Sequence, residues 1–209
     1  MSIAALVERG AAAWRAGGWR AVRCKLDRVW LGGVRRLLKF DAWHAAAPYS
    51  CRPYKRQVVA LANSLHPSTV VEIGCGLGDI VRRISARQRL GFDTDAAVIR
   101  AARYLHPLGA RWIHGDATAV AACLPAGHSI DCLIMVNWIH NLSPEQLAQC
   151  VLPLLPQARH LIVDAIDTDG PASYRFRHDF RFLTGVAEQL TRQRVAAEPR
   201  SFVVFRVVK

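Results

Sequence analysis

Acidic residues are scarce in this sequence. Of the 209 residues, 16 are Asp or Glu and 28 are Lys or Arg, so the formal net charge is +12. Charged residues make up only 21% of the chain and hydrophobic residues 52%, a balance that excludes an intrinsically disordered protein. The length fits one domain with a sizeable core and a short extension. The chain is too short for two full domains.

Cysteine motifs are also absent. The six Cys residues include no C-x-x-C pair and no Cys/His group with zinc-ligand spacing, so the sequence predicts no metal site. Several of them lie in apolar runs, where buried free thiols are common. We therefore expect a protein of a reducing, cytoplasmic compartment without structural disulfides.

Long hydrophobic runs are missing as well. No apolar run reaches the ~18 residues of a membrane span. Glu8 and Arg9 come too early in the chain for the apolar core of a signal peptide. Any contact with a membrane is therefore expected to be peripheral, at its inner face.

Positive charge and Trp are concentrated near the N-terminus. Residues 1–43 hold nine basic and three acidic side chains, which is half of the net charge. Four of the six Trp residues lie there, namely Trp14, Trp19, Trp30 and Trp43. An apolar stripe at helical spacing consists of Leu26, Trp30, Gly33, Val34, Leu37 and Leu38. Gly17-Gly18 and Gly32-Gly33 predict breaks, so we expect two or three short helices.

The sequence leaves the role of this extension, assigned to residues 1–45, open. A basic, Trp-rich helix suits an anionic membrane surface. The alternatives are a cap that packs on its own domain and a contact with a second subunit in a homodimer. Nucleic acid is a further partner that the charge allows.

Strands and helices alternate from about residue 68 onward. β-rich runs occur at 69–73, 89–93, 111–116, 131–136 and 160–166. Helices are predicted over 80–87, after the capping residue Asp95, and over 144–155 behind a capping box at Ser143. This alternation is typical of a parallel sheet with helices on both faces. The last segments, 194–198 and 201–208, predict a terminal antiparallel hairpin.

A glycine-rich loop follows the first predicted strand and leads into a predicted helix. It reads Glu72-Ile73-Gly74-Cys75-Gly76-Leu77-Gly78-Asp79. Glycines let a ligand approach the backbone closely, and a helix N-terminus offers free N–H groups. Asp79 occupies the position where the dinucleotide fingerprint G-x-G-x-x-G requires glycine. The loop therefore predicts a ligand that brings no phosphates here.

These motifs together resemble those of the class I S-adenosylmethionine-dependent methyltransferases. E-x-G-x-G-x-G after the first strand is similar to the family's motif I, and the resemblance extends over residues 68–209. The segments Gly91-Phe92-Asp93, His114-Gly115-Asp116-Ala117 and 131–140 are similar to its later motifs. The resemblance implies an α/β fold over residues 46–209, with a Rossmann-like seven-stranded sheet that is mostly parallel, a C-terminal antiparallel hairpin and helices on both faces.

The resemblance also implies S-adenosyl-L-methionine as cofactor and S-adenosyl-L-homocysteine as product. It places Asp93 on the ribose hydroxyls, a role that suits a carboxylate because it can accept two hydrogen bonds. It places Asp116 at the adenine amino group. The implied cofactor-binding residues are Glu72, Gly74, Cys75, Gly76, Gly78, Asp93, Thr94, Asp116, Ala117 and Asn137.

Three residues are candidates for catalysis. His140 follows the fourth strand, where open α/β sheets place their active sites, and His is the commonest general base. Its alternative role is to pack against the next helix and shape the pocket. His178 and Asp179 form a second candidate base, or else mark a helix start with Asp179 near the N-terminal dipole.

The acceptor is expected to be a hydroxyl. Methyltransferases of nucleobase or glutamine amino groups often carry Asn/Asp-Pro-Pro-aromatic after the fourth strand, whereas this chain has Asn137-Trp138-Ile139-His140. Candidate substrate contacts are Tyr49, Arg52, Tyr54, Trp138 and Asp164. We expect O-methylation of a sugar, glycan or other small molecule, and the chain resembles enzymes of bacterial surface-polysaccharide biosynthesis. The alternatives are an RNA or protein methyltransferase that docks through its basic N-terminus, and a non-catalytic scaffold with this fold.

Overall fold

The computed structural model describes residues 3–124, 129–167, 174–196 and 198–208. These residues form one seven-stranded sheet with the order β3-β2-β1-β4-β5-β7-β6. The strands are β1 (Thr69–Ile73), β2 (Gln88–Asp93), β3 (Arg111–His114), β4 (Ile130–Met135), β5 (Ala158–Ile166), β6 (Ala187–Arg194) and β7 (Arg200–Val207). Neighbours among β1 to β5 are parallel, and β7 is antiparallel to β5 and β6. The predicted Rossmann-like fold is confirmed.

The central strands are apolar because both faces of the sheet are covered. All five residues of β1 are buried. In β4, Leu133 and Met135 pack into one hydrophobic core, while Cys132 and Ile134 pack into the core on the opposite face. Alternating side chains of a strand point to opposite faces, so a strand between two helical layers has an unbroken apolar sequence.

The helices after β2 and after β4 begin at the predicted capping residues, Asp95 and Ser143. The α-helices are α1 (Ile3–Leu38), α2 (Ala42–Ala46), α3 (Pro53–Ser64), α4 (Ala96–Leu105), α5 (Val120–Cys123) and α6 (Pro144–Val151). The Asp95 carboxylate accepts hydrogen bonds from the first backbone amides of α4. Ser143 and Gln146 form the predicted capping box of α6. Each satisfies backbone donors that a helix N-terminus leaves free.

The predicted helix over 80–87 is wrong. The chain forms only a 3₁₀ helix, Val81–Arg83, before β2 begins at Gln88. The Val81 amide donates to the buried Glu72 carboxylate at 2.9 Å, and Ile84 has an extended conformation. The loop is thus held by a side chain from β1, and too few residues remain before β2 for an α-helix.

Three further boundaries differ from the predictions. The helix predicted over 144–155 ends as an α-helix at Val151, and Leu152–Gln157 continue as a 3₁₀ helix, since prolines in that stretch lack the N–H donor of an α-helix. The third strand ends at His114, because Asp116 instead caps the 3₁₀ helix Ala117–Ala119. The first hairpin strand is Ala187–Arg194 rather than 194–198.

The N-terminal extension contains two helical segments of α1, separated by a kink, and the start of α2, so the expectation of two or three helices is confirmed. Gly18 has φ +61°, which interrupts α1 and confirms the first predicted break. Gly32 and Gly33 remain helical, so the second predicted break is wrong. Val34 packs with Phe40 and Ala45 against Leu77 and Val98 of the domain. The predicted stripe is not buried on one face, because several of its members are exposed. The side chains of residues 3–17, Trp14 included, lie outside the described part.

A disulfide joins this extension to the domain. Cys24 of α1 is bonded to Cys51, with a Cα–Cα distance of 5.0 Å, so the expectation of a chain without disulfides is wrong. Nearby, the Ser50 hydroxyl donates to the Asp27 carboxylate at 2.6 Å. The pairing arises because α1 packs beside the 3₁₀ helix Tyr49–Cys51, a contact between segments distant in sequence. In the described part of the chain, no helix is both long and apolar enough to cross a membrane.

Candidate active site

A cavity of about 1280 Å³ opens at the carboxyl ends of the parallel strands. The loops after β1, β2, β3 and β4 form its floor. The α2–α3 segment forms the opposite wall with Trp43, His44, Arg52, Tyr54 and Lys55. Because strand order reverses between β1 and β4, this is the crevice where open α/β sheets bind ligands. Its volume exceeds that of a usual single-ligand pocket, roughly 300–1,000 Å³, and leaves room for a donor and an acceptor.

The glycine loop is packed tightly against aromatic side chains. Gly74, Gly76 and Gly78 all have positive φ values between 54° and 75°, which glycine adopts at little cost. A Cβ atom on Gly74 would lie 2.2 Å from the Trp138 ring, and one on Gly78 would lie 2.0 Å from the Trp112 ring. Gly74 and Gly76 line the cavity with bare backbone, whereas Gly78 supports the loop from behind.

Glu72 and Cys75 shape the loop from within. Burial raises the pKa of the Glu72 carboxyl to about 8, and this group lines the cavity at the base of the loop. Burial also raises the pKa of the Cys75 thiol, so this small side chain is not a reactive thiolate. Both predicted cofactor residues lie at the cavity.

Asp93 stands at the end of β2 and faces the glycine loop. One carboxylate oxygen accepts the Gly76 amide hydrogen at 2.9 Å, and the other accepts that of Asp95 at 3.0 Å. A carboxylate has about four lone-pair sites, so Asp93 retains acceptor capacity toward the cavity that it lines. This geometry suits a pair of ribose hydroxyls.

Asp116 lies beyond β3 on the same side of the cavity. Its carboxylate accepts hydrogen bonds from the Thr118 amide and hydroxyl, and these bonds hold the pKa of Asp116 below its usual range. Thr94 and Ala117 line the cavity beside it. The structure therefore brings together the predicted cofactor residues of three separate loops.

Two residues of the α2–α3 wall that were not predicted, Lys55 and His44, lie over the glycine loop. Lys55 of α3 donates to the Asp79 carboxylate at 2.8 Å and to the Ala47 carbonyl at 2.7 Å. Burial by itself would raise the pKa of the Asp79 carboxyl. The positive charges of Lys55 and Arg83 outweigh this effect and hold the pKa of Asp79 below its usual range. His44 of α2 lies over Gly76, where a Cβ atom would be 2.9 Å from its ring nitrogen. Nothing local in the sequence indicates these contacts.

The other end of the cavity is built around Arg200. Its guanidinium donates to the Asn137 side-chain oxygen at 3.2 Å and to the Tyr174 hydroxyl. It lies 4.5 Å from the centre of the Tyr54 ring, and Tyr174 in turn donates to Asn137 at 3.0 Å. Arg200 and Tyr174 were absent from the predicted site residues. Arg200 begins β7, and only the antiparallel insertion of that strand brings it here.

His140 lies behind the cavity wall. Its Nε2 is 3.2 Å from the Asp164 carboxylate, and both side chains are fully buried. Asp164 also lies 3.3 Å from the Arg200 guanidinium. Its carboxylate accepts a hydrogen bond from the backbone N–H of Asn137 at 2.8 Å. Neither His140 nor Asp164 lines the cavity, whereas Asn137 and Arg200, which Asp164 contacts, do.

The structure does not assemble His178 and Asp179 into a catalytic pair. A ring nitrogen of His178 is 3.0 Å from the Ile139 carbonyl, and burial lowers the pKa of His178. Asp179 instead forms an exposed ion pair with Arg181. Neither residue lines the cavity.

Only some of the predicted acceptor contacts lie at the cavity. Arg52, Tyr54 and Trp138 line the cavity. Tyr49 does not, because its ring lies under the Arg83 guanidinium at 3.8 Å. Among the described residues, no three His, Cys, Asp or Glu side chains converge as a metal site would require.

Comparison with known proteins matches this fold. Residues 70–155 match the family model described as a methyltransferase domain. That stretch contains the glycine loop, Asp93, Asp116 and His140. No curated protein matches the sequence.

Solved structures extend the match beyond that stretch. The N-methyltransferase NodS from Bradyrhizobium japonicum WM9, in complex with S-adenosyl-L-homocysteine, is 16% identical, with a TM-score of 0.64 over 85% of this chain and 98% of NodS. Magnesium protoporphyrin IX methyltransferase (ChlM) from Synechocystis PCC 6803, with bound S-adenosylmethionine, is 12% identical, with a TM-score of 0.57 over 74% and 80% of the two chains. The mitomycin 7-O-methyltransferase MmcR is 15% identical, with a TM-score of 0.61 over 84% and 60%.

The predicted methyltransferase domain is confirmed over residues 70–155, and solved methyltransferase structures that hold S-adenosyl-L-homocysteine or S-adenosyl-L-methionine, the predicted product and cofactor, share the fold. The residues present fit that cofactor. Gly74 and Gly76 offer bare backbone, and Asp93 and Asp116 offer carboxylate oxygens to the polar edge of an adenosine. The remaining volume extends toward Arg200, where an acceptor can be held.

Proposed function

We propose that this enzyme methylates a hydroxyl group of a sugar, glycan or other small molecule. The observation that carries the proposal is one continuous cavity with two chemically distinct ends. The carboxylates Asp93 and Asp116 line one end beside the glycine loop, and Tyr54, Tyr174, Asn137 and Arg200 line the other. Aromatic walls with a few fixed polar groups are typical of small-molecule sites.

The cofactor supplies an activated methyl group when bound. The contribution of the protein is to align donor and acceptor and to exclude water. In our proposal Asp93 holds the ribose, Asp116 and Ala117 flank the adenine, and Gly74 with Gly76 contacts the amino-acid portion. Arg52, Tyr54 and Trp138 form the acceptor wall.

Replacing Asp93 with Ala tests the cofactor site. Loss of two hydrogen bonds to a charged acceptor, about 1.5–3 kcal/mol each, should weaken S-adenosylmethionine binding at least tenfold in calorimetry. Asp95→Ala is the matched control, since Asp95 caps α4 and its loss should cost about 1 kcal/mol of stability with affinity kept. Undiminished binding in Asp93→Ala, or none by the wild type, contradicts the assignment.

The acceptor class is tested with cofactor carrying a tritiated methyl group. Purified protein is incubated separately with a polysaccharide fraction, a panel of hydroxylated small molecules and total RNA. Our proposal expects label in the first or second sample. Nuclease-sensitive label in RNA would contradict it and would support the second candidate, which the exposed basic side chains of α1 favour. Binding of cofactor with no transfer to any sample would favour a non-catalytic scaffold.

We infer that His140 acts as a positioning residue. Because it is fully buried against Asp164, it orients Asn137 and Arg200 rather than contacting the acceptor. His140→Gln should lower kcat about ten- to hundredfold through misalignment, with the KM for the cofactor and the shape of the pH profile unchanged. His160→Gln is the control, since His160 lies near the opposite end of β5. A general-base role would instead remove the rise of kcat with pH.

A further inference from the structure

The long N-terminal helix has two apolar faces, and only one of them is buried. Val34, Leu31 and Leu38 pack toward the domain core. On another face Trp19 is 64% exposed, Leu26 51%, Trp30 61% and Leu37 68%. These four positions, separated by seven, four and seven residues, fall within about 20° of one line along a helix that turns 100° per residue. We call them the exposed stripe.

The exposed stripe is bordered by positive charge. Residues 19–39 contain seven basic side chains, Arg20, Arg23, Lys25, Arg28, Arg35, Arg36 and Lys39, and all seven are exposed. The segment has one acidic residue, Asp27, whose carboxylate accepts the Ser50 hydroxyl on the domain side of the helix. At the same angular spacing, Arg23 lies on one side of the stripe, and Lys25 and Arg36 lie on the other.

The helix is fixed with this face outward. The Cys24–Cys51 disulfide ties it to the domain, and the Arg28 side chain donates to the Ala46 carbonyl at 3.1 Å. Val34 is buried at the contact with the domain. These attachments prevent the helix from turning its exposed stripe toward the core.

We propose that this face of α1 binds the surface of an anionic lipid bilayer. Trp and Leu enter the boundary between headgroups and acyl chains, while flanking Arg and Lys side chains contact anionic headgroups, the arrangement of helices that lie in a membrane interface. Charge complementarity favours lipid over a second copy of the chain, because pairing two copies along this face would bring together the flanking Arg23, Lys25 and Arg36 of both, six positive side chains. The proposal concerns location and holds whichever acceptor the enzyme uses.

Sedimentation of the full chain with lipid vesicles tests this proposal. Vesicles of phosphatidylcholine with one-third phosphatidylglycerol are compared with pure phosphatidylcholine at low and high salt. Binding should require the anionic lipid and weaken as salt rises, because exposed charges are screened. Fluorescence of Trp19 and Trp30 should be quenched by brominated acyl chains.

Matched variants distinguish binding through the exposed stripe from non-specific hydrophobic adsorption and from non-specific electrostatic attraction. Trp19→Ser with Trp30→Ser should lower the partition coefficient at least tenfold, whereas Tyr104→Ser with Leu108→Ser, which alters exposed side chains elsewhere, should leave it unchanged. Arg23→Gln, Lys25→Gln and Arg36→Gln together should weaken binding more than Arg87→Gln, Arg159→Gln and Arg181→Gln. All variants should keep cofactor affinity, so a failure here is distinguishable from a failure of the proposed function.

Three outcomes would overturn the proposal. Absence of vesicle binding at low salt would do so directly. Self-association in ultracentrifugation that the Trp19/Trp30 variant abolishes would assign the stripe to a dimer interface. Binding to RNA that is tighter than binding to vesicles and unaffected by the same variant would assign the charge to nucleic acid.

Discussion

At the level of single residues, buried carboxylates hold the cofactor loop in place. Glu72 accepts the Val81 amide hydrogen, Asp79 binds Lys55, and Asp93 accepts the Gly76 amide hydrogen. Three acids, from the loop itself and from the ends of β1 and β2, thus fix the path of the loop. The same residues define the shape of the cavity floor.

Glu72 makes the stability of the protein depend on pH. Burial raises its pKa from 4.5 to about 8, so between these values the folded protein binds more protons than the unfolded chain. The stabilisation is complete below pH 4.5 and is lost as pH rises through 8. Urea unfolding should show Glu72 lowering the free energy of unfolding by up to about 1.4 kcal/mol per pH unit in this window, and Glu72→Gln should remove that decline.

Glu145→Gln is the control for this measurement. Glu145 is exposed on α6, and the Ser143 hydroxyl holds its pKa below the usual range, so its contribution to stability changes only under acidic conditions. Between pH 5 and 8 the Glu145→Gln variant should follow the wild type. Parallel curves for wild type and Glu72→Gln would show that Glu72 is ionised in the folded protein, contrary to this prediction.

At the level of elements, the contact between α1 and the 3₁₀ helix Tyr49–Cys51 organises the cavity wall. The segment that follows this contact supplies Arg52, Tyr54 and Lys55 to the cavity. The Cys24–Cys51 bond closes a loop between residues 27 apart in sequence. Loosening the contact would therefore affect both the extension and the acceptor wall.

Removing the disulfide should destabilise the protein. A cross-link over a loop of this length contributes about 3–4 kcal/mol through chain entropy, so the double variant Cys24→Ser/Cys51→Ser should unfold at lower urea. Cys123→Ser/Cys150→Ser, which replaces two partly exposed free thiols, should change much less. Alkylation of the unfolded, unreduced protein should label four thiols, and six labelled thiols would show that the disulfide does not form.

At the level of the whole molecule, the charge has a specific location. Residues 1–43 account for half of the excess positive charge, and the described basic side chains of α1 all face solvent. The α/β domain, in contrast, lines its cavity with carboxylates such as Asp93 and Asp116. The net charge therefore bears on our proposal for the surface that α1 contacts, and it does not describe the lining of the cavity.

Local patterns allowed most of the fold and the cofactor end of the site to be predicted. The apolar run of β4 requires cover on both faces, and the caps Asp95 and Ser143 define helix starts through bonds to their own next turns. Asp93 was proposed because its position at the end of the second strand resembles that of the family's ribose-binding acid. The loop after the glycine motif was predicted as a helix. The hydrogen bond from the Val81 amide to the Glu72 side chain, which fixes the loop, cannot be inferred from the spacing of apolar residues.

The sequence alone determined the parallel sheet and its terminal hairpin, since each depends on periodicity or on neighbouring residues, and the family resemblance implied the carboxylates Asp93 and Asp116 that line the cavity. Tertiary structure decided which cysteines pair, that His140 is buried against Asp164, and that Arg200 reaches the acceptor end. It also decided which side of α1 is left exposed. These features depend on contacts between residues distant in the chain, and only the packing of β7 and α1 against the sheet brings such residues together.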